Sequence, residues 1–402
     1  MLFEWKLINY YPFALETWVV IVGCWLLFFV GAMTVVMCKA TSTRDSDGVE
    51  ISVEPANDER RLKRLRIALW VLNTVTFLAA IYHIYILSSL AGGISNAFVL
   101  GNLLYSFRVS EGLPGRIPYI SSLVFTAALL AGSYAAWKEK IPLISVLPFV
   151  IIIMIDFANM GRADILTVSL LFAVGYFLSR KSRDARVKEF RLKFRKVAMV
   201  LVVAAVVIGG ADFIRSTRKV QEGIRGSTKA LKQLRSGSII TPSIYLYLTA
   251  SHGVLNRYIQ GDGENSPIGG NSLLPVYRVL EALGLDVHAN AFQPWYRTPV
   301  HLNTGTYLRE LHADFGILGI LVGPYVLGVL SSVFWYRIQR RRRFADLAVS
   351  GFLFTIVGMG FFVMATRISP VFVYFFVSLA VSRYLDWKPS ERGRTVDATA
   401  RF

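Results

Sequence analysis

Apolar residues in this chain come in long runs rather than in the alternating or helical periods of a soluble protein. The runs fall near Trp18–Met37, Ile67–Leu90, Pro118–Trp137, Ile141–Ile155, Ala163–Leu178, Val197–Ile214, Ile317–Ile338, Leu347–Ala365 and Ile368–Tyr384. A helix rises about 1.5 Å per residue, so crossing the hydrocarbon takes roughly 20 apolar residues. The pattern therefore predicts an all-α polytopic membrane protein with about nine spans. The fourth and fifth runs are short, and a re-entrant pair is the other way to place them.

One polar excursion, Arg215–His312, interrupts the pattern. Within it, Val220–Leu234 mixes apolar positions with Arg225, Lys229 and Lys232, as an amphipathic surface helix does. Ile244–Ile259 and Leu273–Leu283 read as two further helices. Gly261–Asn271 must turn, and Asn290–Thr304, with Pro294 and Pro299, reads as a loop. The expected organisation is six spans in 1–214, an extramembrane insert of short helices in 215–312, three spans in 313–385 and a disordered tail in 386–402. The start, Met1 to Glu16, has no basic n-region and reads as the approach to a retained span.

Charge fixes the expected orientation. The net charge is +18, from 44 Lys and Arg against 26 Asp and Glu. Nucleic-acid binding is one source of such an excess, but its distribution follows the positive-inside rule instead. Arg60–Arg66, Lys138 and Lys140, Arg180–Lys196, Arg340–Arg343 and the tail all fall on one side if each run crosses once. That predicts an N-terminus outside and a cytoplasmic C-terminus, with no nucleic-acid partner. Cys24 and Cys38 imply neither a disulfide framework nor a metal site.

The chemistry then lies in positive charge on the other side. Arg108, Arg116, Arg162, Arg215, Arg218, Arg257, Arg278, Arg297, Arg309 and Arg367 all fall there. Each offers a planar fork of donors suited to phosphate. Snorkelling or pairing with local acids is the competing account of any one of them. Arg162, in the tight Met160–Asp164 turn between two short runs, has little freedom to reach water. Asp164 next to it has a plainer role, as an acid in the first turn of a helix.

The stretch His301–Gly316 holds two of the five histidines. Arg309 and His312 are three apart, and Glu310 and Asp314 four apart, so on a helix each pair shares a face. Such a face offers a cation to a leaving phosphate and a carboxylate or imidazole to a hydroxyl proton. His301, Glu310 and His312 are thus the candidate catalytic residues. Helix N-termini also collect acids for purely structural reasons. Gly319-Ile-Leu-Val-Gly323 reads as a packing motif. Asp45-Ser-Asp47, in an acidic Ser-rich loop, is discounted as a metal motif. No Walker loop, zinc signature or nucleophile elbow is present, and neither a metal nor another cofactor is expected.

Thr249–Ile259, Asn271–Gly284, Asn303 through Asp314-Phe315-Gly316 with Gly319 following, and the Gly161-Arg162-Ala163 turn together resemble the Wzy-type oligosaccharide repeat-unit polymerases of bacteria. The resemblance covers about the last two-thirds of the chain. It implies a GT-C-like helical bundle in a bacterial inner membrane, its N-terminus periplasmic, that transfers a growing O-antigen or exopolysaccharide from undecaprenyl diphosphate onto a new lipid-linked repeat unit at the periplasmic face. Carried onto this sequence, it implies that Arg162, Arg257 and Arg309 hold diphosphate, with Asn303, Tyr307 and Asp314 in the same pocket. Arg278 and Arg297 join the binding set as arginines of the insert. The expected partners are the undecaprenyl-diphosphate-linked oligosaccharide, membrane lipids, a chain-length regulator and a flippase. An O-antigen ligase would use the same donor with a lipid A core acceptor. A flippase would carry polar residues through the middle of many spans, whereas the charges here cluster at one mouth.

Overall fold

A computed structural model describes residues 10–42, 55–100, 118–159, 163–180, 242–261, 266–290, 293–298, 301–302 and 305–387. The expected span Val197–Ile214, the amphipathic segment Val220–Leu234 and the tail beyond Trp387 lie outside the described residues, as do Arg162 and Asn303. The described helices are α1 (Leu15–Ser42), α2 (Pro55–Ala91), α3 (Ile94–Val99), α4 (Pro118–Ser121), α5 (Leu123–Lys138), α6 (Leu147–Asn159) and α7 (Ala163–Ser179). They continue with α8 (Pro242–Gln260), α9 (Leu274–Ala282), α10 (Tyr307–Arg341), α11 (Phe344–Met359) and α12 (Ser369–Asp386). The described residues are all-α apart from a two-residue antiparallel ribbon, β1 (Tyr296–Arg297) with β2 (His301–Leu302). That ribbon occupies part of the stretch expected to be a loop.

Among the described residues, four helices are long and apolar enough to cross a membrane: Leu15–Lys39, Glu59–Ala91, Tyr119–Lys138 and Tyr307–Arg341. Shorter apolar helices cover Leu143–Ala158, Asp164–Ser179 and Phe344–Met359. This is the architecture of an all-α membrane protein. Apolar surface is divided accordingly. In the most apolar stretch of Tyr119–Lys138, which is α5 with most of α4, 83% of residues are buried, against 17% in that of α1. So α5 is central, and α1 turns Trp25, Leu26 and Phe29 outward, where only lipid rewards such exposure. The core around α5 joins Leu65 and Leu69 of α2, Ile151 of α6, Ile165 and Phe172 of α7, and Tyr374 of α12. Four of its buried or core-lining hydroxyls are satisfied locally. Thr76, Ser133, Ser169 and Thr355 each donate to the carbonyl four residues earlier, which an apolar surround requires.

The helices thread between two chemically distinct ends. At one, the Lys39 ammonium lies 3.7 Å from the Tyr336 ring centroid and Arg61 lies 3.8 Å from Asp386. There too Arg337 Nε donates to Asp346 at 2.8 Å, and Trp137 packs on Phe344. These contacts gather the basic flanks of α1, α2, α5, α10, α11 and α12, as the charge distribution predicts. At the other end, α8 lies across the start of α1. Its buried Asn256 accepts from Ala14 N–H at 2.9 Å and Thr17 Oγ1 at 2.8 Å. Tyr307 N–H bonds the Gly360 carbonyl at 2.9 Å, joining the beginning of α10 to the end of α11.

Two parallel helix pairs form the frame, and glycine sets their separation. A Cβ on Gly31 would sit 2.2 Å from the Tyr325 carbonyl oxygen, and one on Gly328 2.1 Å from that of Phe28. Between α5 and α7, Gly132 and Gly175 stand in the same relation to Phe172 and Leu129. Helices in lipid gain little from the hydrophobic effect between them, so close backbone approach supplies the contact. The α5–α7 contact extends as far as a Ser179–Ser133 hydroxyl bond of 2.8 Å near their ends. Replacing Gly328 with Val should part α1 from α10 and lower stability by about 1–3 kcal/mol, the usual range for overpacking. Thermal unfolding in detergent measures it; a Gly328→Val midpoint equal to wild type would mean the two helices do not meet here.

Candidate functional site

The site forms because α10 is bent near its start. Gly316 has φ +60° and ψ −148°, a conformation only glycine adopts without strain. A Cβ on Gly319 would lie 2.1 Å from the Leu311 carbonyl oxygen, and one on Gly323 2.6 Å from Leu311 Cδ1. In a straight helix, residues eight apart are about 12 Å apart along the axis. The segment Tyr307–Phe315 is therefore folded over the bundle end, and the span proper begins at Ile317, as the hydrophobic run predicts. The Gly319–Gly323 spacing packs against this fold-back rather than against a neighbouring helix.

Folding over presents two faces of one short helical segment. The first carries the acids. Asp314, 5% exposed, accepts four hydrogen bonds: Asn271 N at 2.9 Å, Asn271 Nδ2 at 3.0 Å, and Ser272 N and Oγ at 2.6 Å each. It holds the turn that leads into α9. Glu310, 1% exposed, lies 3.3 Å from Arg367 Nη1. The same Arg367 nitrogen donates to Asn271 Oδ1, and Nη2 donates to the Asn290 carbonyl at 2.7 Å. Asn271 thus bridges both carboxylate systems, receiving from Arg367 and donating to Asp314.

The second face carries Arg309 and His312. Arg309 is 1% exposed, and its guanidinium lies 5.2 Å from the Tyr296 ring centroid, a cation–π distance. Gly305 packs beneath it: a Cβ there would meet Arg309 Cδ at 2.8 Å and Nη1 at 2.9 Å. His312 Nδ1 shares a 2.7 Å hydrogen bond with Tyr258 Oη, and Tyr258 packs edge-on against Tyr296. The ribbon and α8 thus supply the aromatic wall for the cation and the imidazole.

Electrostatics couples the two faces. Burial pulls the Arg367 pKa below arginine's ordinary value; Glu310 opposes this most strongly, Arg309 adds to it, Asp314 opposes it, and Arg278 adds to it. An arginine nonetheless stays charged at any physiological pH. The buried charges balance, Arg309 and Arg367 against Glu310 and Asp314, and the exposed Arg278 adds one positive charge beside them. Arg278 lies on the opposite side of α9 from Val276, Val279 and Leu283, which are exposed and share one face. An apolar face beside an arginine is the pattern of a helix lying in the membrane interface.

Of the residues expected from sequence, Arg309, Glu310, His312 and Asp314 come together, with Tyr307 holding the start of their helix against Gly360; Arg278 is exposed on α9 and bears on them through its charge. Arg257 is exposed and stacks on Tyr11 at 4.8 Å. Arg297 is exposed on β1, its Cα paired with that of His301. The sequence placed Arg367 on this side of the membrane but not in the site. It did not single out Asn271, Ser272, Asn290, Tyr258 or Tyr296. The one signal for Asn271 was its place at the head of a family-like segment.

Replacing Asp314 with Ala removes the acceptor for two buried backbone donors, each costing about 1–3 kcal/mol unsatisfied. Asp314→Ala should lower the unfolding midpoint well below that of Ser272→Ala, which removes one hydroxyl. Equal midpoints would show that Asp314 does not hold the turn. No family model, no curated protein and no solved structure matches this chain.

Proposed function

We propose that the chain is an inner-membrane glycosyltransferase with a GT-C-like bundle of about nine spans, polymerising undecaprenyl-diphosphate-linked repeat units into O-antigen or exopolysaccharide at its periplasmic mouth. One observation carries the reading: two buried arginines, Arg309 and Arg367, with the exposed Arg278 close enough to bear on their charge, at the end of the bundle opposite its basic flanks. A diphosphate leaving group gains negative charge as the glycosidic bond breaks. Fixed guanidiniums in a partly dry site stabilise that charge without reorganising. Arg309 and Arg278 are the donors in this scheme, and the exposed apolar face of α9 lies along the prenyl chain.

Arg367 is a positioning residue: it holds Glu310, Asn271 and the Asn290 carbonyl, and so sets where Arg309, one position before Glu310, stands. His312 is the better placed of the candidate bases. In the tautomer whose Nδ1–H donates to Tyr258, Nε2 keeps its lone pair for the acceptor sugar hydroxyl. Glu310 lies against Arg367, a placement that suits organisation more than proton transfer. Holding donor and acceptor side by side on lipid tethers supplies much of the remaining acceleration.

The test is reconstitution with purified lipid-linked repeat unit alone, scored as a ladder of products. Arg309→Ala should cut the rate of chain extension by about 100-fold or more, the usual effect of losing a transition-state donor. Gly305→Ala, which crowds Arg309 without removing it, should give a smaller loss in a protein that still inserts. Ladders of wild-type length from both variants would overturn the assignment.

A further inference from the structure

The other end of the bundle holds a cavity that the proposed reaction does not use. The ends of α2, α10, α11 and α12 enclose a cleft of about 900 Å³, lined by Arg61, Arg340, Arg341, Arg343, Arg383 and Asp386. Five guanidiniums thus face one carboxylate, and that carboxylate is already committed. Asp386 accepts from Ala345 N–H at 3.3 Å, in the first turn of α11, and lies 3.8 Å from Arg61. Arg340, Arg341 and Arg383 are exposed and make no ion pair among the described residues.

Two further features place the cleft at the depth of lipid headgroups. Arg64 donates to the Trp387 carbonyl and lies 5.3 Å from the Trp387 ring centroid and 5.8 Å from that of Tyr384. Tyr384 and Trp387 are both exposed, and Trp335 is 42% exposed on the same end of α10. Tryptophan and tyrosine concentrate where hydrocarbon meets headgroup. Arginine forks at that depth meet phosphate before they meet bulk water.

We propose that this cleft binds a phosphate-bearing anion supplied by the headgroup of an anionic phospholipid. The ligand is held by Arg340, Arg341 and Arg383, with Arg61 and Asp386 forming the fixed back wall. The site is separate from the Arg309 cluster and stands whether or not that cluster handles a diphosphate.

The test uses the full chain in nanodiscs of mixed phosphatidylglycerol and phosphatidylcholine, released into native mass spectrometry to count retained lipid. Wild type should keep phosphatidylglycerol in preference to phosphatidylcholine. The triple variant Arg340→Gln/Arg341→Gln/Arg383→Gln should lose that retention by about tenfold or more, given the attraction each basic residue contributes near an anionic surface. The control Lys63→Gln/Arg66→Gln/Lys138→Gln removes as many exposed charges from the same end but none from the cleft, and should retain lipid as wild type does. Should the first triple fail to insert, Arg383→Gln alone carries the test, with a loss of about threefold. No preference in wild type, or equal losses in cleft and control variants, would overturn the site in favour of general surface charge. Inorganic pyrophosphate added in excess should leave the lipid bound; its displacing the lipid would overturn the headgroup assignment in favour of a soluble phosphate ligand.

Discussion

Charges buried at the mouth of a lipid-facing bundle must find partners of their own, because neither hydrocarbon nor a packed core will solvate them. That constraint organises the end of this protein where α8, α9 and the ribbon lie. Glu310 and Arg367 meet across the fold, and Asn271 takes a hydrogen bond from Arg367 while giving one to Asp314. Truncating one partner of such a set costs far more than the set contributes as a whole, since it strands the other charge. Four segments distant in sequence are thereby fixed to one another: the turn before α9, the Asn290 strand approach, the start of α10 and the turn before α12. A bundle stabilised by apolar packing alone would have no need of this arrangement.

The same constraint explains why the start of α10 is bent. A straight continuation would carry Arg309, Glu310 and Asp314 away from the bundle into water. Gly316 turns the segment back over the bundle end, where one face reaches Arg367 and the other reaches Tyr296 and Tyr258. One helical turn is thereby made to serve two environments, acid on one side and cation with imidazole on the other. The frame below supports it through glycine contacts between parallel helices, which let α1 and α10 approach closely enough for α8 to bind the start of α1 through Asn256.

Much of this was legible in the sequence, and what was not has a physical reason. Apolar runs located the helices, because a span needs length and little else; the run starting at Ile317 begins one residue after the bend. Basic flanks predicted which helix ends meet, because that bias is written into local composition. Spacing placed Glu310 with Asp314 and Arg309 with His312, because the segment is a helix. Arg367 remained one arginine among ten on that side, since nothing local distinguishes an arginine that bonds a residue nearly a hundred positions away from one that snorkels. Asn271 and Asn290 were equally silent: amides carry no charge pattern, and their roles exist only once the turn before α9 has packed. Arg257, Arg278 and Arg297, charged residues in a suggestive stretch, are left exposed by the fold, and their spacing alone did not show it.

The account stands on the claim that the arginine cluster at the start of α10, and not the arginine cleft at the opposite end, receives a prenyl-linked diphosphate. A structure of the full chain in lipid with undecaprenyl-diphosphate-linked repeat unit added addresses this directly. The account predicts diphosphate density against Arg309 and Arg278, with the prenyl chain leaving past Val276, Val279 and Leu283. Diphosphate density confined to the Arg340 end, or a saturating ligand with no density near Arg309, would contradict it.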